Sequence, residues 1–154
     1  MALELYEAGS EAVWLRSFRF ALELRPRFAE TDALGHVSNT VYATYWELAR
    51  LRYLEAIGEA EDAKRQILAF NHMTVEIATR MLRPCYYDEP LLVHARTVAL
   101  GRSSLTMEYA LSAVESEEVR ALARIVIVAT DGETAVPWTP GQRAKLEAFE
   151  GRTL

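Results

Sequence analysis

Five polar side chains crowd one short stretch of this sequence: Glu30, Asp32, His36, Ser38 and Asn39, with Gly35 between them. Asp32 and His36 stand four residues apart. An aspartate side chain supplies a carboxylate, which accepts hydrogen bonds and protons. Ser38 and Asn39 are residue types that cap helices. A helix start offers unpaired backbone N–H groups with partial positive charge. A carboxylate beside such donors is equipment for attack on an activated acyl carbonyl, the carboxylate acting on water or on the carbon and the N–H groups receiving the oxyanion. The same residues also make an ordinary turn before a capped helix, and spacing alone favours that plainer reading.

Other reactive side chains are scattered. Cys85, the single cysteine, lies in Pro-Cys-Tyr-Tyr with no histidine nearby, so an inert thiol is the expectation. His72 and His94 match no metal-ligand spacing, so no metal site is expected. The glycines form no phosphate-binding loop.

The elements that must position the cluster can be read from periodicity. Phe18, Phe20, Leu22 and Leu24 alternate with Arg19, Glu23 and Arg25, which predicts a half-buried strand ended at Pro26. A helix is predicted over 39–57, starting on the Ser38–Asn39 caps and ending at Gly58. Val41, Tyr42, Tyr45, Trp46, Leu48, Ala49 and Leu54 give it a wide apolar face that expects cover. Four strand-like stretches follow: 67–82, 91–100, the alternating Leu105, Met107, Tyr109 and Leu111, and 119–130 with its Ile125-Val-Ile-Val run. Residues 1–12 suggest a short leading helix or arm, and 142–149 a closing helix. Short connections favour antiparallel pairing, and the one long apolar helix needs a sheet to pack on. The expectation is a single α+β domain, 1–154, with a core of about 18–140. Apolar surface on the helix and on the second sheet face is left for a partner subunit.

Composition narrows the function classes. The chain has 154 residues, of which 51% are hydrophobic and 25% charged, as in an ordinary globular domain. With 17 Lys and Arg against 22 Asp and Glu, the net charge of −5 argues against a nucleic-acid partner. Met1 to Ser10 carries Glu4 and Glu7 and no apolar run, unlike a secretory leader. No stretch approaches the roughly 20 apolar residues of a membrane span. A cytoplasmic protein with no membrane partner is expected.

A family resemblance sharpens the reading. Asp32-x-x-Gly35-His36-Val37-Ser38-Asn39-x-x-Tyr42, followed by Tyr45-x-Glu47-x-Ala49-Arg50, resembles the motif of the hotdog-fold acyl-CoA thioesterases of the 4-hydroxybenzoyl-CoA thioesterase-like group. Tyr87-Asp88-Glu89-Pro90-Leu91 and Gly101-Arg102-Ser103-Ser104-Leu105 are similar to turns further along that family. Ser38 stands where the family often has the first of two asparagines. The resemblance implies a hotdog fold, a long central helix wrapped by a five-stranded antiparallel sheet. It also implies a homodimer with sites at the interface, or a homotetramer of two dimers. The implied reaction is hydrolysis of an acyl thioester of coenzyme A or acyl carrier protein, with coenzyme A as part of the substrate rather than a cofactor and no separate cofactor.

On the same basis the catalytic candidates are Asp32 as general base or nucleophile, His36 as a group that binds or polarises the thioester or else orders the loop by a hydrogen bond, and Asn39. Substrate-binding candidates are Gly35, Val37 and Tyr42 beside them, and Arg102, Ser103 and Ser104 for the coenzyme A portion, with Arg143 and Lys145 as further contributors. Tyr42, Tyr45, Trp46 and Met73 either line an acyl pocket or pack in the core. Glu47, two turns into the helix, is read as structural rather than as the nucleophile. Two other readings remain at this point: a non-catalytic acyl-CoA-binding module, and a hydratase or dehydratase on the same fold.

Overall fold

A computed structural model describes residues 10–58 and 72–154. The chain begins with a short helix, α1 (Glu11–Leu15), and enters strand β1 (Phe20–Leu24). A 3₁₀ turn (Phe28–Glu30) and a loop lead to helix α2 (Tyr42–Ala56). Strands β2 (His72–Met81), β3 (Leu91–Leu100), β4 (Ser104–Ala113) and β5 (Val119–Ala129) follow, and helix α3 (Pro140–Glu150) closes the chain. The strands form one five-stranded antiparallel sheet in the order β1-β3-β4-β5-β2. This is the expected α+β architecture, an antiparallel sheet around a long helix.

One sheet face packs on α2. Val93, Leu111 and Ala121 lie in register across three strands, as do Ala95, Tyr109 and Ala123. All six are fully buried, together with Trp46, Ala49 and Tyr53 of the helix. The period-two pattern of β4 therefore faces a period-3.6 stripe on α2. Leu48, expected in that stripe, is exposed, while Arg50 is buried and donates to Thr74 Oγ1 at 3.0 Å.

The opposite face departs from expectation. It is not a bare apolar surface. Trp14, Leu15 and Phe18 pack against Ala110, Val119 and Leu122 there. Beside them Arg96, Glu108 and Arg124 stand in register on three strands, with Glu108 accepting from Arg96 at 2.7 Å and from Arg124 at 2.8 Å. The Arg96 guanidinium also lies 4.6 Å from the Phe18 ring centroid, a cation–π contact. Phe18 belongs to this cluster rather than to β1: its N–H bonds to the Leu15 carbonyl as the chain turns out of α1, and the strand starts at Phe20.

Helix α2 starts at Tyr42, not at residue 39, and neither Ser38 nor Asn39 is its cap. The Ser38 carbonyl accepts the Val41 N–H at 3.0 Å, closing a separate turn over 38–41. Val41 is the N-cap residue and makes no side-chain cap bond. At the other end Gly58 has φ of 78° and its N–H bonds to the Glu55 carbonyl at 3.0 Å, the left-handed stop the sequence predicted.

The irregular alternation of the second strand is a bulge between Thr74 and Glu76. The proposed start of that strand at residues 67–71 lies outside the described residues. The closing helix begins two residues earlier than expected, because Thr139 and Gln142 form a reciprocal capping box with Pro140 at the first turn. It is pinned to the core by Glu150, whose Oε1 accepts from the Tyr53 hydroxyl at 2.6 Å and the Thr97 N–H at 2.8 Å.

The strand order positions the site. β2 lies at one edge of the sheet and β3 beside β1 near the other, so residues 82–90 cross one end of the sheet. Leu24 of β1, Leu91 of β3 and Met81 of β2 all sit at that end. The loop from β1 to α2 meets the crossing segment there.

Candidate active site

The Asp32 loop is a small hairpin built on local hydrogen bonds. Thr31 pairs with Val37, and the Ser38 N–H reaches the Glu30 carbonyl at 2.9 Å. At the tip, the Asp32 N–H bonds to the His36 carbonyl at 2.9 Å and the Gly35 N–H to the Asp32 carbonyl at 3.0 Å. Gly35 has φ of 81°, a conformation that a side chain strains. The hairpin rests on the crossing segment through the Val37 N–H, which donates to the Cys85 carbonyl at 2.8 Å.

Asp32 is half-exposed. Its Oδ1 accepts the Leu34 N–H at 2.8 Å, which fixes the side chain in one orientation. Its Oδ2 faces His36 Nδ1 at 3.7 Å, beyond hydrogen-bond reach. The carboxylate is thus anchored through one oxygen while the other faces the imidazole.

Asp32 and His36 open onto a cleft of about 490 Å³, lined also by Val37, Asn39 and Tyr42 and, from the end of β2 onward, by Met81, Leu82, Arg83 and Pro84. Because Tyr42 is the first residue of α2, the first turn of the helix stands in the wall. The Val41 carbonyl accepts the Thr44 N–H at 2.9 Å, so the N–H groups of Tyr42 and Ala43 lead the helix, where its dipole places partial positive charge. The Tyr42 ring is buried; burial and the adjacent Cys85 thiol hold its hydroxyl well above the ordinary tyrosine range. Cys85 is itself pushed up to about 11 by burial, so its thiol stays protonated at neutral pH.

The structure brings together Asp32, His36, Val37, Asn39 and Tyr42, with Gly35 in the same turn. It does not bring Arg102, Ser103 and Ser104 to them. Those residues occupy the β3–β4 turn at the far end of the sheet, about 30 Å away along the ten residues of β3. There the Arg102 and Ser104 carbonyls bond to the Trp138 backbone N–H and indole N–H. Arg143 reaches the same turn through the Gly101 carbonyl, and Lys145 donates to the Gly58 carbonyl.

Tyr45 and Trp46 are core residues. Met73 is exposed, opposite Val128 on the sheet face turned away from α2, and Met81 is the methionine in the cleft. Glu47 pairs with Arg50 at 3.5 Å in a separate pocket between α2 and β2. Among the described residues no group of three or more His, Cys, Asp and Glu is arranged to hold a metal ion.

The wall formed by Met81 to Pro84 escaped the sequence reading. Its one signal was Pro84, which ends the strand and turns the chain toward the loop. Arg83 is the cation of that wall, and its guanidinium bonds to the Val119 carbonyl at 2.6 Å and to Glu11 and Glu118 at 3.1 and 2.9 Å.

The geometry can be set beside known proteins. A sequence model of the thioesterase-like superfamily matches residues 26–146, which include the whole hairpin, the cleft-lining residues and strands β2 to β5. The uncharacterized protein YsmA of Bacillus subtilis is 30% identical over 136 residues, covering 86% of this chain and 88% of its own. A Thermus thermophilus thioesterase, solved in complex with coenzyme A and zinc, superposes with a TM-score of 0.79 at 34% identity, covering 90% of this chain and 98% of that one. A Synechocystis 1,4-dihydroxy-2-naphthoyl-CoA thioesterase shares the fold at 18% identity with a TM-score of 0.72, covering 82% and 94% of the two chains.

Proposed function

This chain belongs to the thioesterase-like superfamily, and from that premise we propose that it hydrolyses an acyl-CoA thioester at the Asp32 cleft. The observation that carries the reading is the Asp32 carboxylate, anchored through Oδ1 by the Leu34 N–H while Oδ2 faces His36 in a cleft walled by the first turn of α2. The similarity to a thioesterase solved with coenzyme A supports the carrier.

In this reading Asp32 takes a proton from water as its oxygen attacks the acyl carbon. The carbonyl oxygen gains negative charge beside the α2 N–H groups. The carbon–sulfur bond then breaks, and the thiolate of coenzyme A leaves and is protonated. The covalent variant has Asp32 attack first, giving an anhydride that water opens. His36 polarises the thioester, Asn39 contacts it, and Gly35, Val37 and Tyr42 shape the entrance.

A second subunit completes the site. Met73, Val75, Ile77 and Met81 are exposed along β2, whose outer edge pairs with no other strand among the described residues, and Met81 is also cleft wall. A homodimer through this edge covers that surface, and pairs of dimers give the tetramer. Arg102, Ser103 and Ser104, remote within one subunit, serve coenzyme A only if it is held in another subunit's cleft. No helix among the described residues is long and apolar enough to cross a membrane, and we place the reaction in the cytoplasm.

The test is thiol release from acetyl-, hexanoyl-, palmitoyl-, benzoyl- and phenylacetyl-CoA, run beside Asp32→Asn. Turnover should fall by about 10²–10⁴ in the variant with folding retained. Label found in Asp32 after a single turnover in ¹⁸O-water identifies the covalent route, with the anhydride opened at the Asp32 carbonyl. Full activity in Asp32→Asn removes Asp32 from the chemistry, and coenzyme A binding without turnover identifies a binding module instead.

A further inference from the structure

Two residues before Asp32, the Glu30 side chain holds more partners than a turn requires. Its Oε2 accepts the Arg27 N–H at 2.8 Å, and its Oε1 accepts two bonds from the Arg27 guanidinium at 3.0 and 2.8 Å. These bonds close the 3₁₀ turn locally. Oε2 also accepts the hydroxyl of Tyr45 at 2.8 Å, from fifteen residues further on and within the first turn of α2.

The Tyr45 ring is buried in the core, so its hydroxyl cannot turn to solvent without disturbing the packing. An unpaired buried hydroxyl is costly, which makes the pairing strongly preferred. The Glu30 carbonyl meanwhile receives the Ser38 N–H at the base of the Asp32 hairpin. Glu30 therefore joins three things: the turn that enters the loop, the base of the hairpin that presents Asp32, and the end of the helix that supplies backbone N–H groups to the cleft.

We propose that Glu30 is a positioning residue for catalysis, fixing through Tyr45 the separation between the Asp32 carboxylate and the N-terminus of α2. The proposal rests on the hydrolase reading and deepens it. The two groups must act on opposite sides of one carbonyl, the carboxylate through the attacking oxygen and the helix N–H groups through the oxyanion. Hydrolysis then depends on the distance between them, and misplacement of about 1 Å costs up to 10² in rate. A turn cap alone explains the Arg27 bonds; it does not explain a bond to the helix. Charge balance agrees. Burial pushes the Glu30 carboxyl up, but its bonds from the Arg27 backbone and guanidinium and from Tyr45 outweigh that and hold it below the ordinary glutamate range, ionised at neutral pH.

The experiment compares Tyr45→Phe, Glu30→Ala, Glu30→Gln and the Tyr45→Phe/Glu30→Ala double variant in the thiol-release assay, with amide hydrogen exchange over residues 31–38 as a readout independent of turnover. Tyr45→Phe removes one hydroxyl and nothing else. It should lower kcat about tenfold or more with KM within about twofold, and speed exchange in the hairpin while the rest of the sheet keeps its protection. Glu30→Ala should do the same, and the double variant should lose little more, because both singles break the same tie. Glu30→Gln, which still accepts from Tyr45, should recover most of the rate. Unchanged hairpin exchange in Tyr45→Phe overturns the tie, and faster exchange with unchanged kcat makes it merely structural. If Asp32→Asn is inactive while Tyr45→Phe matches the wild type, this inference fails and the hydrolase reading stands. If the wild type turns over no thioester, the hydrolase reading fails and the role of Glu30 falls with it.

Discussion

His94 makes the stability of this fold depend on pH in a way that can be worked out in advance. It sits on β3, on the sheet face turned from α2, 8% exposed, with Nε2 at 2.9 Å from Ser112 Oγ and its ring 5.6 Å from that of Phe18. Burial lowers its pKa from 6.5 to about 4, because an imidazolium there loses hydration. The unfolded chain therefore binds the proton at higher pH than the folded one. Between pH 6.5 and 4 the unfolded state carries more protons, so stability rises with pH, is complete above 6.5, and is lost as pH falls toward 4. The gap between 6.5 and about 4, at ~1.4 kcal/mol per pH unit, amounts to about 3–4 kcal/mol. The assay is urea unfolding at a series of pH values for the wild type and His94→Gln, read as the difference between them so that carboxylate titrations cancel. The difference should change by about 3–4 kcal/mol across the window, the variant gaining relative to the wild type as pH falls. Parallel curves from pH 6.5 to 4 would refute the claim that burial keeps His94 neutral.

Two further perturbations test the packing. Glu150→Ala strips a charged acceptor from both the Tyr53 hydroxyl and the Thr97 N–H, leaving the buried N–H unpaired and the hydroxyl with Thr97 Oγ1 alone. It should destabilise the chain by about 2–4 kcal/mol, with a fall in Tm of about 5–15 °C by calorimetry. Ile77→Lys places a charge in the exposed apolar row of β2. It should shift the protein to monomer in light scattering at micromolar concentration, and an unchanged oligomer would remove that row from the interface.

What could be read from the sequence followed a physical rule. β4 was legible because Leu105, Met107, Tyr109 and Leu111 all face one helix while Thr106, Glu108, Ala110 and Ser112 lie on the other face, so large apolar side chains recur with a period of two. Asp32, His36 and Asn39 were legible because one hairpin holds them close in sequence. Met81 to Pro84 was not, because it reaches the hairpin only through a chain crossing that depends on strand order, which periodicity does not encode. Phe18 was misplaced because alternation cannot separate a strand residue from one at a helix exit that lies against the other face of the same sheet. The start of α2 was misplaced because Ser38 and Asn39 suit a turn as well as a cap. The Tyr53–Thr97–Glu150 trio joins three distant elements and leaves no local pattern at all.

Cys85 supplies a built-in clock for the hairpin. It is the sole cysteine, fully buried, and its carbonyl is where the Val37 N–H of the hairpin is fastened. A thiol held at about 11 and shielded from solvent scarcely reacts while the structure is closed. Alkylation of the native protein therefore counts the moments when the layer beneath Asp32 comes apart. When reclosing outpaces labelling, the labelling rate gives the free energy of that opening; at high reagent it gives the opening rate itself. One chemical label, needing no engineered probe, thus reads how often the segment that fastens Val37 opens and whether a bound ligand keeps it shut.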